Sequence, residues 1–264
     1  MQIQHPSQLI PAYARKATEE KEEVLKRILL IGRSGHGKTT SSCLGTKNIM
    51  IADAENNIPP ELLAREDIYI LPFHDPDWIK KAFPGSANAW DAMMRYIEFD
   101  GDGRKLTQDW TLVLDSLSAF SDILEAKLTP LIPKGQSDKE NGFWFWKEWA
   151  KNLADFCGRI KRLQCNVVLT THEHELIEVD TGKVLAVRWW LPGQQFTPRI
   201  PQFFTDVFRQ IRKLKPGAAG VTSVNYEYVW QINATTQFPS AKTTIKSKLL
   251  EVPATWESFK LRDK

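Results

Sequence analysis

The chain alternates between short runs that are mostly apolar and longer stretches whose apolar residues recur every three or four positions. RILLI (27–31), NIMIA (48–52), DIYILPF (67–73), WTLVLD (110–115) and CNVVLTT (165–171) are of the first kind. Runs of that length, rich in Val, Ile and Leu, predict strands buried on both faces. SANAWDAMMRYIEF (86–99) is of the second kind, with Trp90, Met93, Met94 and Ile97 at helical spacing. FWFWKEWAKNLADFCGRIKRL (143–163) predicts a longer helix, on which Trp146, Trp149 and Ala150 form a core-facing stripe and Trp144 lies off it. Strands alternating with helices imply a parallel sheet covered on both faces. The rhythm then changes. Residues 175–193 predict a hairpin turning at Asp180-Thr181-Gly182, and 206–214 and 225–233 predict further strands, antiparallel in character. Gly, Pro and acidic residues mark 100–109 and 129–142 as loops. The expected fold is α/β: a mostly parallel central sheet flanked by helices, with antiparallel C-terminal strands. It would form a single domain over 26–264, after an arm over 1–25 with a charged helix across 17–27.

Composition narrows the class. Of 264 residues, 42% are hydrophobic and 25% charged, ordinary proportions for a globular domain. No apolar run reaches the roughly 18 residues of a membrane span, and the start of the chain lacks a signal peptide's charged and apolar segments. Cys43, Cys157 and Cys165 have no zinc spacing and read as reduced thiols, so a cytoplasmic location is expected. The net charge of +3 is unevenly placed: from Pro198 onward there are 11 Lys/Arg against 5 Asp/Glu. That balance suits either a phosphate-backbone partner or a solvated Lys-rich surface.

Candidate chemistry begins at LLIGRSGHGKTTSS (29–42). Gly32, four residues, then Gly37, Lys38 and Thr39 make the phosphate-loop signature, set between an apolar strand and a helix start. The glycines allow a tight turn and close backbone approach. Gly32, Ser34, Gly35, His36, Gly37, Lys38, Thr39 and Thr40 are the expected cradle for ATP. Lys38 is expected to reach the β- and γ-phosphates and Thr39 to sit on Mg²⁺. Hydrolysis needs an acid at the end of a neighbouring strand. Asp115, closing TLVLD, supplies it as the second Mg²⁺ residue. Glu55, after the strand that follows the phosphate loop, is placed to orient or deprotonate the attacking water.

GRSGHGKTT, IADAENNIPP and LVLDSLSAF, in that order, resemble the RecA-type recombinase core. NVVLTTHEH falls where that family has its phosphate-sensing strand, with His172 in the place of the usual Gln. The short helix after Lys38, the THEH ending, LPGQQFTPRIPQFFTDVFRQ and FPSAKTTIKSKLLEVP look like the compact phage-encoded RecA-like ATPases, some of them Sak-type single-strand annealing proteins. The resemblance implies a RecA-like P-loop NTPase with Lys38, Glu55, Asp115 and His172 catalytic. It implies single-stranded DNA as partner, a homo-oligomer (filament or ring), and a role in phage-type recombination beside a single-strand-binding protein.

Two loops would line the DNA path in that family. Their counterparts carry Lys134, Lys139, Phe143 and Trp144, and Arg188, Trp189 and Trp190. A basic groove with flat side chains is what single strands require. In a strand, Trp189 and Trp190 must face opposite ways, one to the core and one outward. The family completes its site with a basic residue from the neighbouring subunit. Lys242, Lys246 and Lys248, alternating along one expected strand face, are candidates, with Arg209, Arg212 and Lys213 as rivals. Two other readings stay open: a nucleotide-gated scaffold, packaging or loader ATPase, and a small-molecule phosphotransferase. The second usually wants an Arg-rich lid, and 129–142 contains no Arg.

Overall fold

RILLIG, read as a buried strand, is β1 (Arg27–Gly32), and all six of its residues are buried. The computed structural model describes residues 25–98, 101–134, 138–192, 196–215 and 226–261. The arm and the expected charged helix over 17–24 lie outside the described residues. That helix does not extend to 27. Arg27 opens β1, and its buried guanidinium donates to the carbonyls of Leu163 and Cys165.

The chain then forms α1 (Lys38–Ser42), β2 (Asn48–Asp53), α2 (Pro60–Leu63), β3 (Ile68–Pro72), α3 (Pro76–Ala82), α4 (Ala89–Tyr96) and β4 (Trp110–Asp115). α5 (Leu117–Leu128), α6 (Asp138–Lys161), β5 (Asn166–Ile177), β6 (Val184–Trp189), β7 (Asp206–Leu214), β8 (Tyr226–Gln231) and β9 (Glu251–Pro253) follow. The strand order is β3-β2-β4-β5-β1-β7-β8-β9, with β6 paired to β5. From β3 to β7 neighbours run parallel, and β7, β8 and β9 are antiparallel in turn. β7 is therefore the change-over: antiparallel to β8 as expected, but parallel to β1.

Strand parity divides the core. Leu29, Ile31, Leu112, Leu114, Val167 and Leu169 face α4, α5 and α6. The alternate residues face the other way: Ile49, Ile51 and Val113 meet Cys43 and Leu62, while Ile28, Leu30 and Val168 meet Phe208 and Trp230. Register puts the site together: Asp53 lies opposite Asp115, and Gly32 opposite His172.

Three expectations need correction. First, α6 starts at Asp138, so Lys139 belongs to a helix rather than a loop. Second, its buried stripe runs Phe145, Trp149, Leu153, Phe156, Ile160, and Trp146 is 42% exposed. The apolar residues of the C-terminal half set the phase, by steps of three and four, and Trp146 falls outside it. Third, Lys242, Lys246 and Lys248 do not share a strand. Lys242 makes an isolated bridge to Val207, Lys246 is likewise a lone bridge residue outside any strand, and only Ile245 of AKTTIKSK is buried. A single fully buried residue gives that segment little to anchor an alternating face.

Candidate active site

The loop after β1 turns through Gly35 and Gly37, both at positive φ (72° and 75°). A Cβ on Gly37 would stand 2.8 Å from the ring of Tyr228, and one on Gly32 would stand 3.0 Å from the Gln210 carbonyl. An aromatic ring at one glycine and a backbone carbonyl at the other thus approach as only glycine permits. Ser34 and Gly35 are exposed at the tip, Thr40 is half-buried, and His36 Nδ1 lies 3.4 Å from the Gln210 carbonyl.

Lys38 opens α1 and is buried. Its Nζ donates to the carbonyls of Gly32 (3.0 Å) and Arg33 (3.1 Å). Burial lowers its pKa, against the pull of Asp115, Glu55 and Glu173. Thr39 Oγ1 donates to Asp115 Oδ2 at 2.6 Å, and Thr170 donates to Oδ1. Burial raises the Asp115 pKa, opposed by those two hydroxyls. A buried ammonium under a curled glycine loop, with a hydroxyl and a carboxylate side by side, is a donor set that fits a nucleotide phosphate and Mg²⁺.

Glu55 sits in the turn beyond β2. Ser116 donates to its Oε1, His172 Nε2 lies 2.9 Å from the same oxygen, and Asn57 donates to Oε2 at 2.8 Å. Burial alone pushes its pKa up, but the bonds from His172, Ser116 and Asn57 outweigh it and hold the carboxyl at about 2. Ser116 also caps α5, accepting from Ala119 N. A cleft of about 520 Å³ opens beside this group, lined by Arg33, Glu55, Asp122, His172, Glu173 and Trp190 among others.

The family model described as an AAA domain matches residues 25–197. The chain belongs to the AAA-domain family. Its matched part holds the phosphate loop, Glu55, Asp115 and His172, so this is a P-loop ATPase domain. Among solved structures, the AAA-domain chain is similar to a prototypical ATPase from the type III secretion system of pathogenic bacteria. The identity is 13% and the TM-score 0.39, covering 70% of this chain and 50% of that one. The chain spans about half the length of that ATPase. A search of curated proteins returned no match.

The remaining expected residues of the AAA-domain protein are spread more widely. Trp189 is buried, with Nε1 donating to the Thr197 carbonyl at 3.1 Å, and Trp190 is 61% exposed, edge-on to His174. Arg188, Lys134, Lys139 and Phe143 are exposed, whereas Trp144 is half-buried against the main core. Lys242 donates to the Pro201 and Phe204 carbonyls. Lys246 and Lys248 are exposed. All three rivals are engaged within the chain. Arg209 is forked onto buried Glu173 (2.9 Å twice) and reaches Glu175 at 2.7 Å, Arg212 donates to the Gly35 carbonyl at 3.3 Å, and Lys213 pairs with Glu251.

Sequence reasoning missed the ion-pair group of Arg33, Glu173, Glu175 and Arg209, which ties the phosphate loop to β5 and β7. Its members are about 140 and 35 positions apart in the chain, a separation that carries no local signal. Ser118 was also missed: it joins the β5 edge to the chain after β6, donating to the Trp190 carbonyl and accepting from His172 N.

Proposed function

We propose that this P-loop ATPase domain hydrolyses ATP with Mg²⁺ and couples turnover to single-stranded DNA, in phage-type recombination or strand annealing. The observation that carries the reading is the convergence of Lys38, Thr39, Asp115 and Glu55 at one end of the sheet, joined by His172 to the strand that continues into the β5–β6 hairpin. Water adds to the terminal phosphorus, the bond to the bridging oxygen breaks, and the water proton passes to the Glu55 carboxylate. Thr39 and Asp115 would hold Mg²⁺, which would supply charge neutralisation on the phosphates. Lys38 holds the phosphate chain in the dry base of the loop.

The DNA part rests on the RecA-type resemblance and on aromatic and basic side chains left in solvent: Phe143, Trp190, Arg188, Lys134 and Lys139. With Arg209, Arg212 and Lys213 engaged within the chain, the exposed Lys246 is the better candidate to complete a neighbour's site in a filament or ring. A single-strand-binding protein is the expected co-partner and the cytoplasm the expected place. Among the described residues no helix is long and apolar enough to cross a membrane.

A second reading, a nucleotide-gated loader or packaging ATPase with slow turnover, is favoured by one observation. Glu55 is tied by three donors, which makes it a poor base until one lets go. Steady-state phosphate release from ATP and Mg²⁺, with and without single-stranded DNA and alongside Lys38→Ala, separates the two. Several-fold stimulation that disappears in Lys38→Ala is the expected result. Turnover indifferent to DNA would favour the loader reading, and unchanged turnover in Lys38→Ala would overturn the phosphate-loop assignment.

A further inference from the structure

The short turn that carries Glu55 is built around a neighbouring acid. Asp53, the last residue of β2, is 2% exposed. Its Oδ1 accepts two backbone hydrogen bonds, from Glu55 N at 3.0 Å and Asn56 N at 2.9 Å. Its Oδ2 lies 3.2 Å from His74 Nδ1, at the end of the next strand over. The His74 amide in turn donates to the Asp53 carbonyl at 3.1 Å, and the Ala54 amide donates to the Asp115 carbonyl at 2.8 Å. Asn56, immediately after Glu55, stands at φ 56°, a left-handed conformation that asparagine tolerates better than most residues.

A carboxylate that accepts from the amides two and three residues ahead is a local clamp. It closes a turn in which Asn56 adopts the left-handed region and the Glu55 side chain meets Ser116 and His172. The partners of the Asp53 carboxylate are these two amides and His74.

We propose that Asp53 is a positioning residue for hydrolysis: it fixes the backbone of Glu55 so that the carboxylate is presented to the attacking water, with His74 fixing Asp53. The inference rests on the reading of Glu55 as the base. Placement of a general base within an ångström of its working position is worth about 10²-fold in rate. Asp53 therefore acts on turnover and not on nucleotide affinity, which belongs to the phosphate loop.

The test uses the full chain with four substitutions, Asp53→Ala, Asp53→Asn, Glu55→Gln and the double change Asp53→Ala/Glu55→Gln. Asp53→Ala is expected to lower kcat by about 10- to 100-fold. The affinity for a fluorescent ATP analogue should change by less than about threefold, because Lys38 and the loop amides are untouched. Asp53→Asn keeps an oxygen for both amides and should recover most of the rate. The double variant should be no slower than Glu55→Gln alone, since the two residues act as one unit. In the nucleotide-free protein, the Glu55 and Asn56 amides should exchange with solvent faster in Asp53→Ala than in Asp53→Asn, a readout independent of catalysis.

Should Asp53→Ala fail to fold, Asn56→Val carries the same test from an exposed position, because a β-branched residue cannot hold that φ. Asn56→Gly is its tolerant control. Wild-type turnover by Asp53→Ala beside an inactive Glu55→Gln overturns the positioning role alone, and so does a rate loss that adds in full to that of Glu55→Gln. Wild-type turnover by Glu55→Gln overturns the reading of Glu55 itself, and the proposal with it.

Discussion

Glu55 carries the clearest electrostatic signature in the site. Its side chain is 15% exposed, yet its carboxyl is held at about 2 instead of the usual 4.5, because three neighbours donate to the charged form. A carboxyl whose pKa is depressed by folding contributes stability above its ordinary value. That contribution is lost as the pH falls from about 4.5 through about 2. Glu55→Gln lacks it. The stabilities of the two proteins, measured by urea unfolding across pH, should therefore differ most above pH 4.5 and converge toward pH 2. His172→Ala removes one of the donors, so the Glu55 carboxyl should titrate nearer its usual value, which a carboxyl-resolved NMR titration reads directly. Equal stability profiles, or an unmoved Glu55, would mean that the three contacts do not act on the charge.

Elements show where sequence reading succeeds and where it stops. The strands of the parallel core were legible because each is a short, mostly apolar run, and the hairpin because Gly182 marks its turn at φ 66°. Glu55 and Asp115 were legible because a strand end fixes its neighbours' level, and register does bring Asp53 opposite Asp115. α2 and α3 were missed. Each is under two turns long, too short for a periodic face, although Asp75 with Pro76 is a start signal that could have been read. On α6 the error was one of phase, and it has a measurable consequence. Trp149→Ala empties a fully buried position and should cost about 3–5 kcal/mol. Trp146→Ala, at a solvent-facing position, should cost about 0.5 kcal/mol. Denaturant unfolding of the two variants distinguishes the observed stripe from the expected one. The clamp at Asp53 is half legible: Glu55 stands out by its place after the strand, while the bonds of Asp53 run to backbone amides and so leave no trace in residue type.

At the scale of the molecule, charge and topology act on different ends of the chain. The basic C-terminal quarter builds the β7–β9 side of the sheet, whereas the exposed Lys134 and Lys139 lie at the mouth of α6. If single-stranded DNA crosses that mouth, changing both lysines to Ala should weaken binding. It should also reduce the slope of log affinity against log salt by about 1.4, since each phosphate contact on a single strand contributes about 0.7. An unchanged slope would put the strand elsewhere, on the Arg188–Trp190 side.

β5 runs for 12 residues, its first half inside the sheet and its second half projecting with β6, where the register shifts between Leu176 and Ile177. Mechanically that is a stiff arm with its root at His172. At roughly 3.3 Å per residue, the arm from His172 to Ile177 is about 17 Å long. Pivoting it by about 6° would carry its tip through nearly 2 Å while the root moves by a small fraction of that. Such gearing suits the task at the root, where a few tenths of an ångström decide whether an imidazole still holds a carboxylate.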